Sequence, residues 1–313
     1  MSKILTIGEI LVEIIATERG NGFRAPVSLI GPFPSGAPAI FIDQVGKLGQ
    51  DCAIISRVGD DDFGHLNVDR LRADNVDVSG IDIVPQGTTG SAFVRYREDG
   101  SRAFVFNIRH SACGTIELTG NAARLAEECT HLHVMGTSLY APSVVDSILA
   151  AIRIIKSKGG TVSFDPNLRP EILNAPGMRE ALKAVIAQTD LFLPSGAELY
   201  LFTEATDEKD AVKELLATGI KAVVVKQGSV GATYFDQTRT LTSPGFAVEE
   251  VDPTGAGDCF GAAFVTFWLN GAEPEQALLY ANACGARAVT KAGPMEGAST
   301  RAELDAFLVS QKV

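Results

Sequence analysis

Cysteine is scarce in this chain. The five residues, at 52, 113, 129, 259 and 284, are scattered, and no C-x-x-C pair occurs. That argues against a disulfide framework and for reduced thiols. No run of 18 apolar residues is present, so no helix is expected to cross a membrane. The segment Met1 to Glu9 lacks the apolar core and small-residue cleavage site of a secretory leader, so a cytoplasmic location is expected. There is no low-complexity tract. The pattern G-x-x-x-x-G-K-[ST] is missing, which excludes a P-loop nucleotide site, and no G-x-G-x-x-G follows the first strand, which disfavours a dinucleotide fold. Basic residues are also in deficit: 27 Lys and Arg against 38 Asp and Glu give a net charge of −11. Such a surface argues against nucleic acid as a partner. It also means that a bound nucleotide would need locally placed cations, because the overall field repels it.

What is present is the composition of a soluble globular protein: 313 residues, 46% apolar and 21% charged, enough for one large or two ordinary domains. Ile4 to Gly8 and Leu11 to Ile15 read as strands, residues 20–38 as Gly- and Pro-rich loops and edge pieces, and Ile40 to Leu48 as a helix stopped by Gly49. A strand at 53–58 and a helix at 63–74 follow. From 82 to 108 the period changes to two, with Glu98-Asp99-Gly100-Ser101 as a hairpin turn. After residue 115 short apolar strands (131–135, 161–164, 191–193, 222–225) alternate with helices near 142–158, 177–188, 196–203 and 208–217. That rhythm predicts an α/β fold with a mostly parallel sheet covered on both faces, and ligands at the carboxyl ends of its strands. The hairpins at about 11–33 and 82–108 break the rhythm and read as a small β lid on a single domain spanning 1–313.

The densest chemical signal is Asp252-Pro253-Thr254-Gly255-Ala256-Gly257-Asp258, followed by Cys259 to Phe264. Two glycines in three residues let backbone approach a ligand, and the small and apolar residues beyond them read as a buried helix. The first amides of a helix have no internal partner and sit at its positive end, which makes an anion site. Asp258 adds a carboxylate at its edge. Amides that hold charge on a moving phosphate, beside a carboxylate that takes a hydroxyl proton, suit phosphoryl transfer to an alcohol. His131 and His133 share one face of a strand and could form a metal pair, but no Cys or acidic residue lies at ligand spacing.

The 252–258 string resembles the signature of the ribokinase-like, or phosphofructokinase-B type, sugar kinases, and the likeness extends from Gly8 to about Gly297. It implies a ribokinase-like three-layer sandwich with a small β lid. Ser35-Gly36-Ala37-Pro38-Ala39 resembles the family's N-terminal signature, where Gly36 and Ala37 would meet sugar hydroxyls; Ser35 replaces the first glycine, and Ile40 replaces a frequent asparagine. Gly8 to Glu13 resembles the entry to the lid, with Glu13 standing for an aspartate that holds sugar hydroxyls or else a surface charge. Asp165-Pro166-Asn167-Leu168-Arg169-Pro170 is similar to a stretch of fructokinases and 2-keto-3-deoxygluconate kinases, placing Asn167 and Arg169 at the substrate; a structural Asp165–Arg169 pair is the other reading. Arg109, after the lid hairpin, is a further substrate candidate.

On the nucleotide side the resemblance assigns Ser195, Lys226, Gly228, Gly231 and Asn282 to ATP, with adenine near Asn282, unless Asn282 is an exposed polar residue of its helix. Glu198 is implied at hydrated Mg²⁺, and Asp252 and Thr254 at a monovalent cation, K⁺. Gly255, Ala256, Gly257 and Asp258 would form the catalytic centre, with Asp258 as base. The implied activity is ATP-dependent phosphorylation of a ketohexose of tagatose or fructose type. A sugar acid such as 2-keto-3-deoxygluconate is the alternative acceptor, and a non-catalytic sugar- or nucleotide-binding protein the alternative of another class. A homodimer joined through the lid is expected, since an isolated lid would leave open edges.

Overall fold

The computed structural model describes residues 2–20, 22–99, 101–168 and 176–311. Its strands are β1 (Ile4–Ile7), β2 (Leu11–Ala16), β3 (Leu29–Ser35), β4 (Cys52–Gly59), β5 (Asp77–Val84), β6 (Gly90–Tyr96), β7 (Arg102–Asn107), β8 (His131–Met135), β9 (Thr161–Asp165), β10 (Leu191–Phe192), β11 (Ala222–Lys226), β12 (Gly231–Phe235) and β13 (Thr240–Pro244). The helices among the described residues are α1 (Ala37–Lys47), α2 (Asp62–Ala73), α3 (Gly120–Glu128), α4 (Pro142–Ser157), α5 (Met178–Ile186), α6 (Glu208–Ala217), α7 (Ala256–Leu269), α8 (Pro274–Ala288) and α9 (Arg301–Ser310).

Nine strands form one sheet in the order β13-β12-β11-β10-β9-β8-β1-β4-β5, parallel from β11 to β5 and closed at one edge by the antiparallel pair β12 and β13. The apolar runs explain its burial on both faces. Along β11, Ala222 and Val224 join a core with α1, α7, α8 and α9, while Val223 and Val225 join another with α3 to α6. Alternate side chains of a strand point to opposite faces, so a continuous apolar run can feed two cores at once. Helix α7 is buried continuously from Asp258 to Phe267 and packs mainly against α1 and α8, as expected of a helix that is small and apolar all round.

The second sheet has four strands in the order β3-β2-β6-β7. Residues 29–35, part of the run read from sequence as loops and edge pieces, form its edge strand and pair with β2. The sequence boundary at 82 is too early: residues 82–84 finish β5 in the large sheet, and the small sheet resumes at Gly90. The segment 196–203 is a 3₁₀ helix, Gly196–Phe202, rather than an α-helix.

His131 and His133 are buried structural residues. The His131 nitrogens meet Thr161 Oγ1 and Ser163 Oγ, both at 2.7 Å, and His133 Nδ1 meets Ser163 Oγ at 2.7 Å. The His133 ring stacks on Phe41 at 3.7 Å. Among the described residues no group of three or more His, Cys, Asp or Glu is placed to hold a metal ion, and no helix is long and apolar enough to cross a membrane.

Candidate active site

The segment before α7 builds an anion cradle. Gly255 is its N-cap with φ +82°, a left-handed conformation that disfavours a side chain, and a Cβ there would lie 2.4 Å from the Pro294 carbonyl. No side chain caps the helix, so its first amides are left to a ligand. The turn itself is fixed by Asp252, whose Oδ1 accepts from the Thr254 N–H at 3.0 Å and whose Oδ2 accepts from the Gly293 N–H at 3.0 Å. Gly255, Gly257 and Asp258 face a cavity of about 420 Å³ between the carboxyl ends of the large sheet and the small sheet. That size suits one small ligand.

Asp258 is 7% exposed. Asn167 donates from Nδ2 to Asp258 Oδ1 at 3.0 Å, and Asn167 is held by its own N–H on Asp165 Oδ1. Lys226, at the end of β11, bonds Asp165 Oδ2. A Cβ placed on Gly257 would lie 3.8 Å from Lys226 Nζ, so this ammonium stands beside the cradle. Burial pushes the Asp165 carboxyl above the usual carboxylate range, with Lys226 opposing. Glu198 is raised as well, first by burial and then by the charge of Asp165. Its Oε1 accepts from the Leu168 N–H and its Oε2 from the Ser195 N–H, both at 2.7 Å.

The remaining cavity wall combines polar and apolar groups, the apolar ones in excess. Glu9 and Glu13 line it from the chain that leaves β1 for β2; Ser138 Oγ donates to Glu9 Oε2 at 2.7 Å, and Ser35 Oγ donates to Glu13 Oε2 at 3.1 Å. Gly36 and Ala37 close the floor, and a Cβ on Gly36 would strike the Glu9 carbonyl at 2.4 Å. Ile40, Ala92, Phe104, Phe106 and Ile108 supply the apolar part, and Arg102, Arg109, Thr137 and Tyr140 add polar groups. Thr137 Oγ1 is buried without a hydrogen-bond partner. A buried hydroxyl left unpaired is costly, which makes it a natural contact for a hydroxyl of the ligand.

Of the residues singled out from sequence, Glu13, Gly36, Ala37, Arg109, Asn167, Ser195, Lys226, Thr254, Gly255, Gly257 and Asp258 line this one cavity. Ala256, Asp252 and Glu198 do not line it but adjoin residues that do: Ala256 lies between Gly255 and Gly257, Asp252 bonds the Thr254 N–H, and Glu198 bonds the Ser195 N–H. Gly228 and Gly231 lie in the turn beyond β11, where Gly231 (φ +120°) packs against the Ser243 carbonyl. Asn282 is buried rather than exposed: its Nδ2 donates to the Ser243 and Pro244 carbonyls at 3.1 and 3.2 Å, tying α8 to β13. Arg169 lies outside the described residues. Sequence reasoning missed Glu9, Arg102, Thr137 and Tyr140. Arg102 had one signal, the period of two that puts Arg102, Phe104 and Phe106 on one face of β7.

The small sheet is docked on the cradle. Tyr96 donates its hydroxyl to Asp252 Oδ1 at 3.1 Å, and Arg102 Nη1 donates to Thr254 Oγ1 at 2.8 Å. Burial and the charge of Asp252 push the Tyr96 hydroxyl above its ordinary pKa, which keeps it a donor.

Comparison with known proteins agrees with this geometry. The sequence pattern of the pfkB family carbohydrate kinases matches residues 1–301. Fructokinase-1 of Zea mays is 32% identical over 313 residues, covering 96% of each chain. An E. coli structure provisionally named Ribokinase II, in complex with ATP and Mg²⁺, is 48% identical with a TM-score of 0.93 and covers 99% of this chain and 100% of its own. A fructokinase double mutant from Vibrio cholerae O395, in fructose-, ADP- and potassium-bound form, is 29% identical with a TM-score of 0.85 and covers 98% of each chain. This chain belongs to the pfkB family of carbohydrate kinases and has the ribokinase-like fold.

Proposed function

We propose that this protein transfers the γ-phosphoryl group of ATP to a hydroxyl of a ketohexose of fructose or tagatose type. The observation that carries the reading is the uncapped start of α7 and the Asp258 carboxylate opening onto one sugar-sized cavity. Asp258 takes the proton of the acceptor hydroxyl, that oxygen bonds to the γ-phosphorus, and the bond from phosphorus to the bridging oxygen breaks to release ADP. Amides 255–258 hold the charge that spreads over the phosphoryl oxygens. Lys226, beside Gly257, neutralises part of the nucleotide charge locally, which an acidic chain requires. Ser195, Gly228, Gly231 and Asn282 shape the nucleotide side, Gly231 through close backbone packing and Asn282 through its side-chain bonds to the β13 carbonyls.

Mg²⁺ would neutralise the β- and γ-phosphates. Glu198 fits an outer-shell role: its two oxygens already hold amides, so it can reach the ion through water, as Mg²⁺ readily allows. Asp252 has three donors on its two oxygens, which leaves about one of its four lone-pair directions for K⁺. The small sheet acts as a lid that excludes water from the reacting phosphoryl. Its exposed Leu29, Ile30 and Val105 support a homodimer formed through the lid, and the reaction suits a cytoplasmic protein supplied with ATP.

One observation favours the sugar-acid alternative. Arg109 lines the cavity and is exposed, and its fork of donors suits a carboxylate. ADP release measured across ketohexoses, pentoses, nucleosides and sugar acids tests both readings: the highest kcat/KM is expected on a ketohexose. Best turnover on a sugar acid would move the assignment to that class, and binding without ADP release on any acceptor would overturn the enzyme reading. Within the ketohexose reading, Thr137→Val is expected to raise KM for the sugar by about 3- to 10-fold with kcat nearly unchanged, the loss of one uncharged hydrogen bond. An unaltered KM would remove Thr137 from the sugar site.

A further inference from the structure

We infer that Arg70, on α2 and outside the cavity, is a positioning residue for the phosphoryl transfer: its guanidinium holds in place the segment that backs the start of α7. The inference rests on the kinase reading of the cavity and adds to it a residue that does not line the cavity.

The segment is 293–299. It has turns but neither helix nor strand, so no regular ladder of backbone bonds steadies it. Its first two residues meet the cradle directly. The Gly293 N–H donates to Asp252 Oδ2, and the Pro294 carbonyl is the surface against which Gly255 packs. Its far end is tied to α1 and α8. Gln44 exchanges two bonds with the Ser299 backbone, at 2.7 and 2.9 Å. Lys47 donates to the Ala298 carbonyl at 3.3 Å, and Arg287 donates to Ser299 Oγ at 2.7 Å.

Between these two ends lie Met295 and Glu296. Among the described residues, Arg70 is the only side chain from outside the segment that bonds either of them. Its Nη2 donates to the Met295 carbonyl at 2.7 Å, and its Nη1 to Glu296 Oε1 at 3.1 Å. The guanidinium is itself fixed from α2 and α1: Asp74 Oδ2 accepts from Nε at 2.6 Å, and Asp43 Oδ2 lies 3.4 Å from Nη2. A planar fork can serve these four acceptors together, because its donors diverge in set directions. An ammonium group offers no such geometry. Arg70 is therefore the grip on this segment that lies nearest the cradle along the chain.

Gly255 and the amides after it take their direction from what lies behind them. If the stretch at 295–296 swings free, the Pro294 carbonyl moves with it, and those amides no longer converge on one phosphoryl position. A misplacement of about 1 Å caused far from the chemistry can cost about 10²-fold in rate. Ground-state binding tolerates such a shift better than the charge developing in the transition state does. Loss of the grip should therefore lower kcat and leave KM nearly unchanged.

The test compares Arg70→Gln, Arg70→Lys and Val68→Ala with the wild type. Steady-state kinetics, melting temperature, and affinity for ADP alone and for ADP with aluminium fluoride and sugar are measured for each. Val68 is a buried core residue on α2, and truncating it weakens the packing of that helix while leaving the Arg70 bonds in place. Arg70→Gln is expected to lower kcat by about 10-fold, with KM for the sugar within about 2-fold of wild type. Affinity for the aluminium fluoride complex should fall by a similar factor, and affinity for ADP alone much less. Arg70→Lys keeps the charge beside Asp74 but not the fork, so it should recover melting temperature more than kcat. Val68→Ala should melt earlier at near-normal kcat. An Arg70→Gln protein with wild-type kcat overturns the inference, as does a kcat that simply follows melting temperature across the three variants. The wild type is the separate check on the kinase reading. No ADP release from it on any acceptor would bring down that reading and this inference together, whereas an active wild type confines a failure to Arg70.

Discussion

Asp258→Asn is expected to lower kcat by about 10²- to 10⁴-fold, the range for loss of a positioned general base. The substitution is chosen to keep shape. Asn167 donates to Asp258 Oδ1, and an asparagine oxygen can accept that bond in the same place. The side chain sits in the first turn of a helix that is buried from Asp258 to Phe267, so the fold has little reason to change. The capacity to take a proton is lost, together with one negative charge. Binding of sugar and nucleotide should therefore survive, and KM should move much less than kcat. Turnover close to wild type in Asp258→Asn would show that the hydroxyl proton leaves by another route and would remove the central assignment. A collapse of both binding and melting temperature would instead mean that the negative charge holds the α7 start together.

The second large effect is on stability in acid. His131 is fully buried, and burial lowers its pKa from 6.5 to about 3; His133 is lowered well below 6.5 by burial and by the neighbouring His131 and Lys226. Both are therefore neutral in the folded protein. The unfolded chain takes up protons on these residues as pH falls through about 6.5, while the folded chain does not, so stability is full above that pH and is lost below it. At about 1.36 kcal/mol per pH unit for each group, the pair costs about 4 kcal/mol by pH 5. Several buried carboxyls, Asp43 among them, are shifted upward and act in the opposite sense. The decisive quantity is thus a difference: the loss between pH 7 and pH 5 should be about 2 kcal/mol smaller in His131→Asn than in wild type. Urea midpoints at the two pH values measure it, and equal losses in both proteins would show that His131 does not titrate on unfolding.

These buried histidines also mark the limit of what sequence alone conveys. Their alternation along β8 was plain, but whether that face met solvent, a metal or Phe41 depended on α1 folding across it. The large sheet was readable because its strands are apolar on both faces and separated by helices of ordinary length. The edge pair β12 and β13 was not, since short strands after a Gly turn carry no distinctive period. In the site, Asp252 to Asp258 could be read as a cradle because backbone chemistry and sequence coincide there. Glu9 and Thr137 could not, for each is a common residue type whose role comes from facing a cavity. Asn282 was readable as a conspicuous polar residue, yet it is spent on the backbone of β13.

The strand order has a consequence for how the molecule is made. Strand β1 lies between β4 and β8, and from β8 to β13 each new strand is added beside the one before it. A ribosome would thus deliver the sheet along one growing edge, with β1 as the seam where later strands join the earlier ones. Helix α7, which carries both the cradle and Asp258, emerges only after the last strand. The nascent chain would acquire walls for a sugar before it acquires anything that can move a phosphoryl group, so its chemistry is switched on last. Chains halted after Phe235 should already protect the amides of β8 to β11 from exchange; protection arising only at full length would replace this stepwise assembly with a single late collapse.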